Sequence, residues 1–449
     1  MNASADAPAP EWETGTELPG VVPLLAAAGH ILAVLAALER HAPVPVIAAH
    51  ADLPSAVARR HLQHLCRLGL AATDKADPSF YQAGPGPSPV RPAVLSARGH
   101  SAVITWRLES VGAAARILGA DVLPGGEQIE PDPARPPLVP AGRSEALAWF
   151  TAERPILARD IESAYELGED HLAWRLALQV LGLTCFTGPW DGWHTVYERG
   201  LAAARAEKHR GAQAMFEELA GKLELTAGDR AAAREHQHRA LMMRAADTDK
   251  LGVVRSLNAI GLIFLREQAW REAAELFGWA LETARNLADE QFETFALLNL
   301  GAVHAGRGEH AQAGLELEAA ITRLRAAGRE PYIANALQDL ALAHHGAGDL
   351  EQAERAADQG VDAAVRAEIP MFLPGPLIES ARIQAGHGHL RVALALLHEA
   401  HGIYAEIGDE VRTARTLDGI EAVARQAAAA DEADAWTEVP TGSEPTSDQ

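Results

Sequence analysis

The side chains best suited to chemistry are the histidines, of which there are 19, and few are spaced to act together. His398-Glu399-Ala400-His401 comes nearest, with two imidazoles one helical turn apart. A zincin-type metal site needs His-Glu-x-x-His, two ligands four residues apart with the Glu as base, and this segment is one residue short. His236 and His238 cannot share a helix face, and His344-His345 closes a helical stretch; helix-terminal and surface roles account for them. A phosphate cradle needs a Gly-rich turn running into Gly-Lys-Ser/Thr. None of Lys75, Lys208, Lys222 and Lys250 has that setting: Lys222 follows Gly221 but precedes Leu223 inside a helical pattern. No Ser-His-Asp set and no carboxylate pair falls in a loop or strand-end setting. The chain therefore reads as non-enzymatic, with no metal site and no cofactor.

What remains is recognition chemistry, and a fixed step of forty residues organises it. Leu181, Gly221, Gly261, Gly301, Ala341 and Ala381 stand forty apart. Twelve residues later in each copy come Trp193, Ala233, Ala273, Ala313, Ala353 and Ala393, and seven further on Gly200, Ala240, Ala280, Ala320, Gly360 and Ala400. A register held without a gap over six copies means stacked units, which make a binding surface rather than a catalytic pocket. Each unit reads as two helices. Leu257, Ile260, Gly261 and Phe264 share one face, then after a turn Ala273, Phe277 and Ala280 share another. The recurrent small residues sit where two helices cross closely. Gly228-Asp229, Gly308-Glu309, Gly348-Asp349 and Gly386 to Gly388 supply helix stops followed, at the Asp positions, by caps.

The pattern resembles the tetratricopeptide repeat (TPR), with helices lengthened beyond its usual unit of about 34 residues. The expected fold is mainly all-α, a TPR-like solenoid. In such arrays the first helix of each unit lines the concave face. That resemblance selects as groove residues Arg175, Gln179, Glu218, Lys222, Arg255, Asn258, Leu262, Phe295, Asn299, Asn335, Gln338, Asp339, His345, Glu379 and Arg382, all expected to be exposed. Asn299 stands where a carboxylate clamp would place its Asn, but the accompanying lysines are absent. A mixed polar groove with Arg175, Arg255 and Arg382 fits an acidic or extended segment of a protein or peptide partner. Trp149, Trp174, Trp190, Trp193, Trp270 and Trp279 read as inter-helix packing.

Upstream, helices over His30 to Arg40, Val44 to His50 and Ser55 to about Leu68, then two short strands within Leu70 to Gln82, make a winged helix-turn-helix pattern. Ser55, Arg59, Arg60, His64 and Arg67 lie on or near the third helix and are the candidates for DNA contact. The same arginines also suit a solvated face, and the wing (Thr73, Asp74, Lys75, Asp77) carries more acid than base, which suits a phosphate backbone poorly. The organisation expected is a disordered lead over 1–20, a winged-helix domain over 21–92, a helix and Pro-rich linker over 93–143, the array over 144–430 and a disordered acidic tail over 431–449.

Several motifs across this organisation resemble the C-terminal half of AfsR-type STAND regulators. They are Leu53-Pro54 through Leu68-Gly69-Leu70, then Phe80-Tyr81-Gln82, then Ala146-Leu147-Ala148-Trp149-Phe150-Thr151-Ala152-Glu153-Arg154-Pro155, then Gly188-Pro189-Trp190-Asp191-Gly192-Trp193. Such regulators carry a nucleotide-binding NB-ARC domain before the winged helix. Here only an acidic stretch of about 20 residues precedes it, so ATP-driven switching does not carry over. In that family the winged helix chiefly packs on the NTPase.

The formal net charge is −22, which excludes a generic nucleic-acid binder. Residues 21–120 nevertheless hold nine Arg or Lys against five Asp or Glu. Two isolated cysteines, Cys66 and Cys185, suggest neither a disulfide framework nor a thiolate zinc site. An acidic start without a signal peptide, and no convincing membrane span, point to the cytoplasm and no membrane partner. Three functions follow. The first is a regulatory adaptor that holds a protein or peptide partner in its groove, in a bacterial pathway such as secondary metabolism, with homo-oligomerisation open. The second is a DNA-binding regulator with the array as sensor. The third is an accessory protein that presents a peptide or carrier protein to a biosynthetic enzyme.

Overall fold

The computed structural model describes residues 97–120 and 137–437 and, upstream, Ile31, 42–44, 47–48, 55–67, 71–73 and 80–83, with 123 and 124 between. The expectations for 1–20, 125–136 and 438–449 fall outside the described residues. The chain divides into two compact units, 1–109 with 130–137 and 110–129 with 138–449.

In the first unit, helix α1 (Ser55–Arg67) buries Ala58, Leu62 and Leu65, one stripe at helical spacing. Ile31, Val44, Ile47 and Ala48 are buried in the same unit. Strands β1 (Ala42–Pro43), β2 (Ala71–Thr73) and β3 (Phe80–Ala83) form an antiparallel sheet in the order β1-β3-β2. Ala72 lies opposite Gln82 and Ala42 opposite Tyr81. The sequence predicted the hairpin but not β1, which at two residues including a proline is too short to show a period of two.

Helix α2 (Ala97–Leu118) leads to the array. Next come α3 (Arg143–Glu166), α4 (Asp170–Thr187), α5 (Trp193–Ala206), α6 (Arg210–Ala227), α7 (Arg230–Ala246) and α8 (Lys250–Arg266). They continue as α9 (Trp270–Asn286), α10 (Glu290–Gly306), α11 (His310–Ala326), α12 (Glu330–Gly346) and α13 (Leu350–Ala367). A 3₁₀ turn (Pro370–Phe372) then precedes α14 (Pro374–Gly386), α15 (Leu390–Glu406) and α16 (Glu410–Thr437). The family-like stretch 146–155 lies within α3, where Ala146, Leu147 and Phe150 are buried. Arg154 stacks over Trp190 at 5.4 Å.

A shorter period underlies the forty-residue one. The chain turns left-handed once every twenty residues, at Gly168, Gly188, Lys208, Gly228, Thr248, Gln268, Ala288, Gly308, Gly328, Gly348, Glu368, Gly388 and Gly408. Thr248 shows how such a connection closes. The Asp249 N–H donates to Arg244 O at 3.0 Å and the Thr248 N–H to Ala245 O at 3.2 Å, a Schellman-type stop. The Asp249 carboxylate then accepts from Gly252 N at 2.8 Å and starts the next helix. Asp229, Asp289, Asp349 and Asp409 cap in the same way. Five of these left-handed residues are not glycine, and Thr248 (φ 57°) is β-branched, the type least suited to that region. Thr248→Gly is expected to raise stability by about 1 kcal/mol, read as a higher urea midpoint; an unchanged or lowered midpoint contradicts it.

The recurrent small residues are buried on both helices of a pair: Gly221, Gly261, Gly301, Ala341 and Ala381 on the first, and Ala233, Ala273, Ala313, Ala353 and Ala393 on the second. Trp279 departs from its predicted packing role. It projects from the outer helix α9 with 57% of its surface exposed, because Ala273, Phe277, Ala280 and Ala284 fill that helix's inward stripe. The last helix runs to Thr437, so 431–437 are helical rather than the start of an irregular tail. The Ala-rich run before them has the highest helix propensity.

The array winds until its ends meet. Gly188, after α4, lies against the backbone of Ile407 in the α15–α16 turn. Gly228, after α6, faces the Val411 side chain on α16. The Phe186 and Phe372 rings meet at 6.4 Å.

Candidate functional site

Each first helix of a pair touches the next first helix along the array: α4 with α6, α6 with α8, and so on to α14. These six helices form the inner wall, and every predicted groove residue lies on them.

At one end of the wall sits Glu218, 2% exposed. It accepts from Arg244 Nη2 at 2.7 Å, Lys222 Nζ at 2.6 Å and Arg255 Nε at 3.1 Å. Burial alone would raise this carboxyl; Lys222, Arg255 and Arg244 outweigh it and hold the group well below the usual carboxylate range. Arg244, itself 4% exposed, also donates to Ser256 Oγ at 2.9 Å and Gly252 O at 3.2 Å. The neighbouring Glu217 is a separate device between helices. It meets His236 Nδ1 at 2.7 Å and accepts from Arg239 Nε at 2.8 Å. Burial, then the Glu217 charge, pushes Tyr197 up to about 12.

Amides and rings occupy the middle. Asn299 Nδ2 donates to Asn258 Oδ1 at 2.7 Å across α8 and α10. Gln338 lies against the backbone of Gly375. Phe292, Phe295, Tyr332 and Phe372 form a file of rings with centroids 6.1, 4.8 and 6.2 Å apart. Asn335, Leu262 and Phe295 are half-buried on the same wall.

The far end is acidic. Burial, with the Glu379 charge second, pushes Asp339 up to about 7. Glu379, 4% exposed, is raised by burial and lies 3.2 Å from Arg382 Nη1. His345 is pushed down by burial, then by Arg382 and His387. Asp339 is half-buried by area.

Of the predicted groove residues only Arg382 is fully exposed; eleven are half-buried and three are buried. The buried three are Gln179, Glu218 and Glu379, at 3%, 2% and 4% exposed. Arg175 folds back, stacking on Trp174 at 4.2 Å and donating to His171 O at 2.9 Å. The sequence alone did not select Arg244, which sits on a second helix. It also missed Tyr332, although its spacing of three and seven residues from Asn335 and Asp339 places it in their stripe. Phe372 lies in the 3₁₀ turn between α13 and α14.

On α1, Arg59, Arg60 and Gln63 are exposed while His61 is 7% exposed. The side chains of Ser55, His64 and Arg67 lie outside the described residues. His401 Nδ1 lies 3.2 Å from Thr413 O. Among the described residues no group of three or more His, Cys, Asp or Glu could hold a metal, and no helix is long and apolar enough to cross a membrane.

No protein of curated function matches the sequence. Among solved structures, a Rap protein complexed with competence and sporulation factor is similar at 14% identity over 64% of this chain and 90% of its own, TM-score 0.46. NprR in complex with its cognate peptide NprX is similar at 12% identity over 60% and 81%, TM-score 0.45. A STAND protein with a tetratricopeptide repeat sensor from Pyrococcus horikoshii shows 11% identity over 92% of this chain and 59% of its own, TM-score 0.49. Residues 25–75 match the IclR helix-turn-helix domain, so the chain joins a helix-turn-helix domain of that type to a solenoid of stacked helical pairs.

Proposed function

We propose that this protein is a non-enzymatic regulator whose array holds an extended peptide segment in its groove. The polarity of the inner wall carries this reading. Lys222, Arg244 and Arg255 surround one carboxylate, Glu218, at one end. Asp339 and Glu379 lie at the other, where Glu379 pairs with one guanidinium, Arg382. Between them lie amides suited to a peptide backbone and rings suited to an apolar side chain. An extended chain with an acidic group at one end and a cationic one at the other complements that order.

The test is display selection of peptides on the full-length protein. Selected binders are expected to carry Lys or Arg toward the Asp339 end. A cation there requires the ionised carboxyl, so affinity rises as pH passes upward through the Asp339 value of about 7. Between pH 6 and pH 8 the gain is about tenfold, and Asp339→Asn flattens it. No enrichment, or a flat pH profile in the parent protein, sinks the reading.

A second activity, duplex DNA binding by the helix-turn-helix domain, is favoured by the match over 25–75 and by exposed Arg59, Arg60 and Gln63. Duplex binding at low salt should weaken at least tenfold in Arg59→Ala plus Arg60→Ala, with the salt slope shallower by about 0.9 for each phosphate no longer neutralised. Equal binding by parent and variant in an anisotropy titration rejects this site. The AfsR-type motifs add regulation of a bacterial pathway such as secondary metabolism to the proposal.

A further inference from the structure

Where the array closes on itself, its last helix meets the second and third pairs around a cavity of about 180 Å³. Four arginines line it: Arg230 at the start of α7, Arg266 at the end of α8, and Arg412 and Arg415 in the first turns of α16. Gly228 and Val411 form its apolar side. Their sequence separation means that only the closed array assembles them.

The charge is poorly compensated. Asp409, 1% exposed, offsets part of it: Oδ1 accepts from Arg412 N at 3.0 Å as the α16 cap, and Oδ2 lies 3.4 Å from the Arg412 guanidinium. Asp229 caps α7 through Ala232 N at 2.9 Å. The side chains of Arg230, Arg266 and Arg415 make no hydrogen bond or ion pair among the described residues. All three residues are exposed to solvent at the cavity's rim. Arg412 and Arg415 crowd Arg266 with like charge, and Asp409 and Tyr404 act against them. On a chain of net charge −22, a one-signed cluster of this kind lacks its counter-ion.

We propose that this cavity binds a phosphoryl-type oxyanion that links Arg230 and Arg266 to Arg412 and Arg415. A lone carboxylate is satisfied by one bidentate guanidinium, whereas guanidiniums arriving from three elements suit a tetrahedral group with several charged oxygens. The bound anion ties α16 to α7 and α8, so ligand binding and closure of the array reinforce each other. The site is independent of the groove.

The source is either free phosphate or a phosphorylated side chain, and the experiment separates them. Full-length protein is titrated calorimetrically with inorganic phosphate and, separately, with a short phosphoserine peptide, at constant ionic strength set with chloride. Thermal melting runs in parallel. Saturable binding of at least one probe, with a rise in melting temperature that chloride does not reproduce, is expected. Arg266→Gln plus Arg415→Gln should weaken binding at least tenfold, and Arg230→Gln alone several-fold. Arg271→Gln, on an exposed side chain outside the cavity, should leave it unchanged, as should Asp339→Asn. Peptide binding without phosphate binding assigns the site to a phosphorylated partner, and phosphate binding alone to a free ion. Equal stabilisation by chloride, or undiminished affinity in both Arg266→Gln plus Arg415→Gln and Arg230→Gln, overturns the proposal.

Discussion

Gly188→Ala should lower stability by about 3 kcal/mol or more and separate the first pair of the array from its last turn. Gly188 follows α4 with φ 81° and ψ 160°, a region open essentially to glycine alone. A Cβ there would also run into the carbonyl oxygen of Ile407, whose carbonyl carbon lies 3.2 Å away. The obstacle is backbone, so no rotamer change relieves it. Either residue 188 strains or the α15–α16 turn moves off. Hydrogen exchange should report the second outcome as faster exchange at 407–411, together with a lower melting temperature. Gly314→Ala is the control: it is mid-helix with nothing within 4 Å of the added carbon, and should be neutral or stabilising by up to about 1 kcal/mol. If Gly188→Ala melts like the parent, the two ends of the array do not touch in solution.

Glu218→Gln should cost about 3 to 5 kcal/mol at neutral pH. The substitution keeps shape and removes charge, leaving the Arg244 guanidinium, 4% exposed, without its carboxylate. Ser256 and the Gly252 carbonyl remain as partners, but both are neutral. Lys222 and Arg255 then repel Arg244 across the vacated charge. The pH dependence gives a second signature. The folded carboxyl titrates well below its ordinary 4.5, so its stabilisation is present above that value and is lost as pH falls through the folded one. The difference between parent and variant should therefore be full at pH 7 and narrow below about pH 4.5. A constant gap across that range would mean that packing, not charge, explains the loss. Asp339 has the opposite sign: its raised value means that the folded state loses stability as pH climbs toward about 7.

The inner wall was legible wherever its requirement is local and recurs. Gly261 is small because an added Cβ would sit 2.6 Å from the Phe277 ring. Gly301 faces Leu317 at 2.5 Å in the same way. The partner is sixteen residues on in both, so the constraint repeats with the unit and shows as a period. Asn258, Asn299, Asn335 and Asp339 follow from the same register. Gln179, Glu218 and Glu379 were placed on the right helices but expected to be exposed, and they are buried.

By itself, then, the sequence determined the helical pairs, their forty-residue step, the Asp caps that start helices and the wall that carries the groove residues. Each depends on contacts within one unit or between adjacent units. The tertiary structure alone decided three things: that Gly188 meets Ile407, that Arg244 turns inward to Glu218, and that Arg230, Arg266, Arg412 and Arg415 converge. The first and last depend on the accumulated rotation of the whole array, where small angles per pair add until ends some 220 residues apart touch. The second depends on how deeply one second helix settles against its neighbours. Neither quantity leaves a periodic trace in the order of the residues.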